Sequence, residues 1–197
     1  MNFLAHIYLS GENEGVTIGN FMADGIKGKK HEKYPSQIQN GILLHREIDS
    51  FTDHHPIVRK STARLHKNYG HYSGVIVDIL YDHFLAKNWN SYHEQPLDEY
   101  IQDFYKLLRL NFDVLTSRIQ HMMPYMISDN WLLSYATVSG ISKILVQMNR
   151  RTKNASKMNF AVIELEEYYS EFEEEFTSFF IELIAFSSEK LLQIEKQ

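Results

Sequence analysis

The chain contains no cysteine. That absence excludes disulfides, thiolate zinc sites and cysteine nucleophiles, and it fits a reducing, cytoplasmic setting. No apolar run approaches the roughly 20 residues of a membrane span, so no membrane partner is expected. The opening MNFLAHIYLS has no basic residue and too short an apolar run for a secretory signal. Also missing are a phosphate-cradling glycine loop, a nucleophile elbow and an H-E-x-x-H pair. No segment alternates with period two, none repeats, and none is a low-complexity linker. The net charge of −5 and the lack of a basic stripe argue against a nucleic-acid partner.

What is present suits one all-α domain spanning residues 1–197. With 44% hydrophobic and 23% charged residues the composition is that of a folded chain with a sizeable core. Charge is unevenly spread. Residues 160–197 hold ten Glu against Lys190 and Lys196, a net of −8, whereas residues 1–159 carry +3. Either the tail is a solvated acidic helix face or it shields a basic, anion-binding body.

Helical spacing organises the chain. VIVDILYDHFLAKNW (75–89) is apolar almost all round, which predicts a buried central helix. Pro96 and Asp98 open a second helix, and Pro124 is expected to end the segment after it. Asp129 or Asn130 is expected to cap WLLSYATV, and Ser139 to cap GISKILVQMNRR. From Leu165 to Phe186, aromatic and leucine residues recur at three- and four-residue steps. That pattern predicts one long C-terminal helix with its glutamates outward, packing on the body. Loops are expected over KKHEKYPSQ (29–37) and TKNASK (152–157).

The unusual residues fall in three segments. GNFMAD places Asp24 four residues after Asn20, with His6 upstream. GILLHREIDSFTDHHPIVRK (41–60) sets His45 and Asp49 four apart on one helix face, with Asp53 further along the same line. The 75–89 helix carries Asp78 and Asp82, also four apart, with His83 adjoining. Two carboxylates on a nearly apolar helix repel each other and resist desolvation, so they need a cation or a proton. A mixed set of Asp24, His45, Asp49, Asp78, Asp82 and His83 suits a divalent metal such as Mg²⁺, Mn²⁺ or Fe²⁺. Pairing through Arg46 or Arg59, with core histidines, satisfies the same residues without a metal.

These motifs, with MNFLAH at the start and, more loosely, MISDNWLLSY and MNRR (148–151), resemble the acyl carrier protein phosphodiesterase family. The likeness runs over roughly residues 1–151 with order and spacing kept. It implies a helical bundle distantly related to the HD-domain phosphohydrolases, and a divalent metal, typically manganese. The implied reaction is hydrolysis of the 4′-phosphopantetheine–serine phosphodiester of holo-acyl carrier protein. Asp24, the His45/Asp49 pair and the Asp78/Asp82/His83 group fall on the family's polar motifs. The chain has no adjacent His-Asp pair; its nearest equivalent is reversed, Asp82-His83. Under this resemblance Arg46 or Lys27 would stabilise phosphoryl charge, His6 or a histidine outside the metal shell would protonate the leaving serine, and Asp53 would join the catalytic set. Arg150, Arg151 and Lys27 would meet the acidic carrier, with Lys153 and Lys157 beside the first pair and Lys29 and Lys30 beside the last. Two rival functions stay open: a metal phosphohydrolase of nucleotides or other small phosphoesters, and a helical module that binds carrier protein without turnover.

Overall fold

Apolar residues at helical spacing build eleven α-helices and no strand among the described residues, 1–196, of the computed structural model. The helices are α1 (Phe3–Tyr8), α2 (Glu14–Met22), α3 (Ser36–His54), α4 (Pro56–Tyr69), α5 (Ser73–Lys87) and α6 (Leu97–Leu110). They continue as α7 (Ser117–Ser128), α8 (Trp131–Ser134), α9 (Val138–Arg151), α10 (Val162–Glu167) and α11 (Tyr169–Ile194).

Helix α5 is the axis of the fold. Its apolar circumference is buried from Ile79 through Ala86, and it packs against α1, α4, α9 and α11. Helix α11 covers it with Phe172, Phe176, Phe179, Phe180 and Leu183, all fully buried. Each such side chain contributes roughly 1.5–3 kcal/mol by leaving water. The C-terminal pattern is not one helix, however. It breaks at Tyr168 into α10 and α11, and two glutamates, Glu164 and Glu175, turn inward.

Helices α2 and α3 cross at contact distance because the crossing is made of glycine. A Cβ on Gly19 would collide with the Ile38 carbonyl oxygen, and one on Gly41 with that of Val16. This close approach carries the end of α2 up to the middle of α3, where His45 lies.

Three sequence expectations need correction. Pro124 does not end a helix; it lies inside α7, on an exposed face where water can serve the carbonyl that loses its N–H partner. Asn130 precedes α8 in a left-handed conformation (φ 46°) and makes no side-chain cap, and α8 is a single turn. The cap of α9 is Thr137, not Ser139: Thr137 Oγ1 accepts the Gly140 N–H at 3.1 Å. The 29–37 stretch forms 3₁₀ turns before α3 begins, and 152–157 is a loop with Lys153, Asn154 and Lys157 at positive φ.

Candidate active site

Helix α1 delivers His6, the turn after α2 delivers Asp24, α3 delivers His45 and Asp49, and α5 delivers Asp78. The two imidazole rings stack at 4.0 Å between centroids. Asp49 lies between them, with Oδ1 3.2 Å from His6 Nε2 and Oδ2 3.1 Å from His45 Nε2. Asp24 Oδ1 is 3.3 Å from the same His45 nitrogen. Asp78 Oδ1 sits 3.1 Å from the amino nitrogen of Met1, which is 3.7 Å from Asp49.

One buried amide fixes both rings. Asn20, fully buried in α2, accepts the His6 Nδ1–H through its side-chain oxygen at 2.8 Å. Its backbone carbonyl accepts the His45 Nδ1–H at 2.9 Å. The Asn20 amide nitrogen in turn donates to the His6 carbonyl at 2.9 Å and to Ser10 Oγ at 3.0 Å. With both Nδ1 atoms engaged as donors, the Nε2 atom of each ring is the one left to bind a metal, and both lie close to Asp49. This is the outer-shell arrangement that sets the tautomer of metal-binding histidines.

The site is short of positive charge. Burial works against the His45 cation, but Asp24 and Asp49 outweigh it and raise the imidazole to about 9. His6 is held below its ordinary value, first by burial and then by the neighbouring His45. Burial opposes the Asp49 anion, yet the neighbouring His45 and His6 keep its carboxyl below the usual range. Burial pushes Asp78 up against the pull of the Met1 amino group.

These residues fit a divalent metal. His6 Nε2 is buried and lies off the hydrogen-bond direction of Asp49, so it has no hydrogen-bond partner. The donor atoms of His6, His45 and Asp49 converge within 4.8 Å of one another. Two imidazoles and a carboxylate, with further carboxylates adjoining, suit Mn²⁺, Fe²⁺ or Zn²⁺.

Above the cluster opens a cleft of about 320 Å³, with Asp24, Asp49, Asp53 and Asp78 on its acidic side. Phe3, Val75, Ile144 and Met148 line the apolar side, and Arg118 and Arg151 the basic one. Asp53 therefore stands in the cleft, as its position after Asp49 suggested.

Other sequence candidates go elsewhere. Asp82 is buried below the site, accepting the Leu4 and Ala5 N–H groups at 2.8 and 3.3 Å. It caps α1 and so holds His6 in place; burial raises its carboxyl to about 7 against those two bonds. The side chain of His83 faces away, its Nδ1 donating to the Tyr135 carbonyl at 2.7 Å and its Nε2 accepting from Tyr169 Oη at 2.8 Å. Adjacent residues on a helix diverge by about 100°, so Asp82 and His83 cannot serve one centre as a pair. Arg46 Nη2 donates to the Ile26 and Gly28 carbonyls at 3.0 and 2.8 Å, which pins the loop after Asp24 and commits the guanidinium there. Lys27, exposed on that loop, is absent from the cleft lining. His6, expected as a proton donor, lies instead in the donor cluster because Asn20 claims its other nitrogen.

Sequence reasoning missed Asn20, Arg118 and Trp131. Asn20 had a signal: an amide at the centre of the apolar run Ile18–Met22 must be satisfied inside the fold. Arg118 had none, since it reaches the cleft only because α7 packs on α8, which in turn packs on α9.

A family model described as acyl carrier protein phosphodiesterase matches residues 1–183. Among curated relatives, a protein of Yersinia pestis with that name is 29% identical over 91% of this chain and 94% of its own length. The Pectobacterium atrosepticum protein of the same name is 30% identical over the same shares, and that of Shigella boydii is 29% identical over 98% of this chain and all of its own. No solved structure matches significantly. Described from its donor cluster and cleft, and matched along almost its whole length, this chain belongs to the acyl carrier protein phosphodiesterase family.

Proposed function

We propose that this protein hydrolyses the phosphodiester between 4′-phosphopantetheine and a serine of holo-acyl carrier protein, with a divalent metal held by His6, His45 and Asp49. Asp24 and Asp78 adjoin those donors and would add carboxylate charge beside a bound ion. The observation that carries the reading is the convergence of these residues, with a partnerless buried Nε2, at the floor of a cleft in a chain of this family. Manganese is the metal proposed, on the mixed imidazole and carboxylate donors.

A divalent ion bound there supplies charge to a phosphoryl oxygen and makes water more acidic. The chain's own residues do the rest. Asn20 keeps both Nε2 lone pairs turned to the floor. Asp82 anchors α1, and Arg46 anchors the Asp24 loop, so that the donors are positioned before substrate arrives. Arg118 and Arg151, not Arg46, are placed to meet charge on the phosphoryl oxygens. Asp53, one turn beyond Asp49 and in the cleft, is the carboxyl placed to exchange a proton with the leaving serine oxygen. Arg150, Arg151 and Lys27 are the basic candidates for contact with the acidic carrier.

The test is the mass of purified holo-acyl carrier protein after incubation with the enzyme, with Mn²⁺ and with EDTA. Loss of the phosphopantetheine mass only with metal supports the reading. Metal binding without loss of that mass moves the assignment to a small phosphoester.

A further inference from the structure

The cleft continues past Trp131 into an open groove bordered by Arg118, His121, Tyr125, Arg150 and Arg151. Arg118, Trp131, Gln147 and Arg151 line both spaces, so the acidic floor and the groove form one path. The groove has three guanidinium groups against one carboxylate, Asp129, and Asp129 already accepts from Trp131 Nε1 and Ser128 Oγ. None of the three arginines makes an ion pair among the described residues. Arg118 and Arg150 make no side-chain hydrogen bond there either, while Arg151 lies 5.9 Å from the Trp131 ring centroid. By contrast, Arg46 and Arg64 are committed to internal acceptors. Tyr125 is 66% exposed beside them. Exposed Tyr, Trp and Arg together are the residues that protein interfaces favour.

The floor creates the need for such a surface. Asp24, Asp49, Asp53 and Asp78 outnumber the charge of one divalent ion, so the floor still disfavours the approach of an acidic protein. The compensating field has to come from beside the floor, and this groove is the basic surface that joins it.

We propose that the groove of Arg118, Arg150 and Arg151 docks an acidic segment of the protein that bears the phosphodiester. Arg118 and Arg151 at the junction hand its phosphoryl group to the floor. The proposal rests on the carrier-protein reading above, and it assigns docking to the groove rather than to the loop of Lys27.

The test separates binding from turnover. The Kd of holo-acyl carrier protein is measured calorimetrically in EDTA, where hydrolysis is not expected, for wild type, Arg150→Glu, Arg118→Glu, Lys27→Glu and the control Lys67→Glu on α4. Release of phosphopantetheine is measured in parallel with Mn²⁺. Each groove reversal is expected to weaken binding by about tenfold or more, about 1.4 kcal/mol. The salt dependence should flatten in both, while Lys67→Glu binds as wild type does. Unchanged Kd in both groove variants overturns the proposal, as does a larger loss in Lys27→Glu. A wild type that binds through the groove without releasing phosphopantetheine overturns the catalytic reading and leaves the docking surface standing. Absence of any wild-type binding overturns both.

Discussion

Two buried polar clusters meet helix α5 within one turn of each other, at Tyr81 and at Asp78, and solve the same problem differently. In one, Tyr81 joins Ser61, Arg64 and Glu175. The Glu175 carboxylate receives two Arg64 N–H groups at 2.8 Å each, the Lys60 ammonium at 3.1 Å and the Ser61 hydroxyl. Tyr81 closes the set through Ser61 at 2.7 Å. Arg64 also lies over Phe172, 4.8 Å from the ring centroid. In the other, Asp78 joins His6, Asp24, His45 and Asp49, where three carboxylates face two imidazoles and one amino group. There His6 Nε2 has no hydrogen-bond partner at all. A polar cluster that closes on itself holds a fold together, whereas one that leaves a buried donor atom open is built to take something in.

The largest effect should come from removing the shared carboxylate of the open cluster. Asp49→Ala is expected to lower kcat/KM by about 10³-fold or more and to abolish Mn²⁺ binding measured by electron paramagnetic resonance. Helical circular dichroism should be kept. A variant that still turns over normally would remove the distinction between the clusters.

Next comes the closed cluster. Glu175→Ala leaves Arg64 without its counter-charge and should cost about 3–5 kcal/mol in urea unfolding. Mn²⁺ affinity per folded molecule should stay unchanged. A loss of affinity as large as the loss of stability would show that the two clusters are coupled rather than independent.

A smaller effect is expected at Asn20, which orients both imidazoles without facing the cleft. Asn20→Ala should weaken Mn²⁺ binding by about 10–100-fold, the usual consequence of losing an outer-shell partner. The imidazole nitrogen shifts in NMR should report a changed tautomer at His6 alone, because His45 keeps its bond to the residue 20 backbone carbonyl. Weaker binding with an unchanged His6 tautomer would assign the Asn20 side chain to packing alone.

The mildest prediction concerns pH. Burial opposes the Glu175 anion, but Arg64, Ser61 and Lys60 hold its carboxyl below the ordinary 4.5. A depressed carboxyl stabilises the fold above its unfolded value and loses that contribution as pH falls through its folded value. The stability gap between wild type and Glu175→Gln should therefore be widest near neutrality and shrink as pH drops below about 4.5. A gap that held constant into acid would mean the pair contributes by packing rather than charge.

Much of this was legible in the chain. The four-residue spacings of His45 with Asp49 and of Asp78 with Asp82 put each pair on one helix face, and periodicity alone marked α5 as buried. What those spacings left open was which neighbour each residue meets. Asp78 and Asp82 share a face, yet Asp82 is taken by the N-terminal N–H groups of α1 while Asp78 reaches the cleft. Arg46 adjoins His45 but turns to the carbonyls of another loop. His6 lies 39 positions from His45 and stacks on it only because glycines let α2 and α3 cross closely.

The sequence by itself determined the all-helical architecture, the buried central helix and the types of residue available for metal chemistry. These depend on local periodicity and composition, which one strand of letters contains. The tertiary structure alone decided that His6 belongs to the donor cluster, that Asn20 sets both tautomers, and that Arg118 and Arg151 replace Arg46 at the cleft. Those assignments depend on which helix faces meet across the core, and that is set by the summed packing of distant segments, not by any spacing within one.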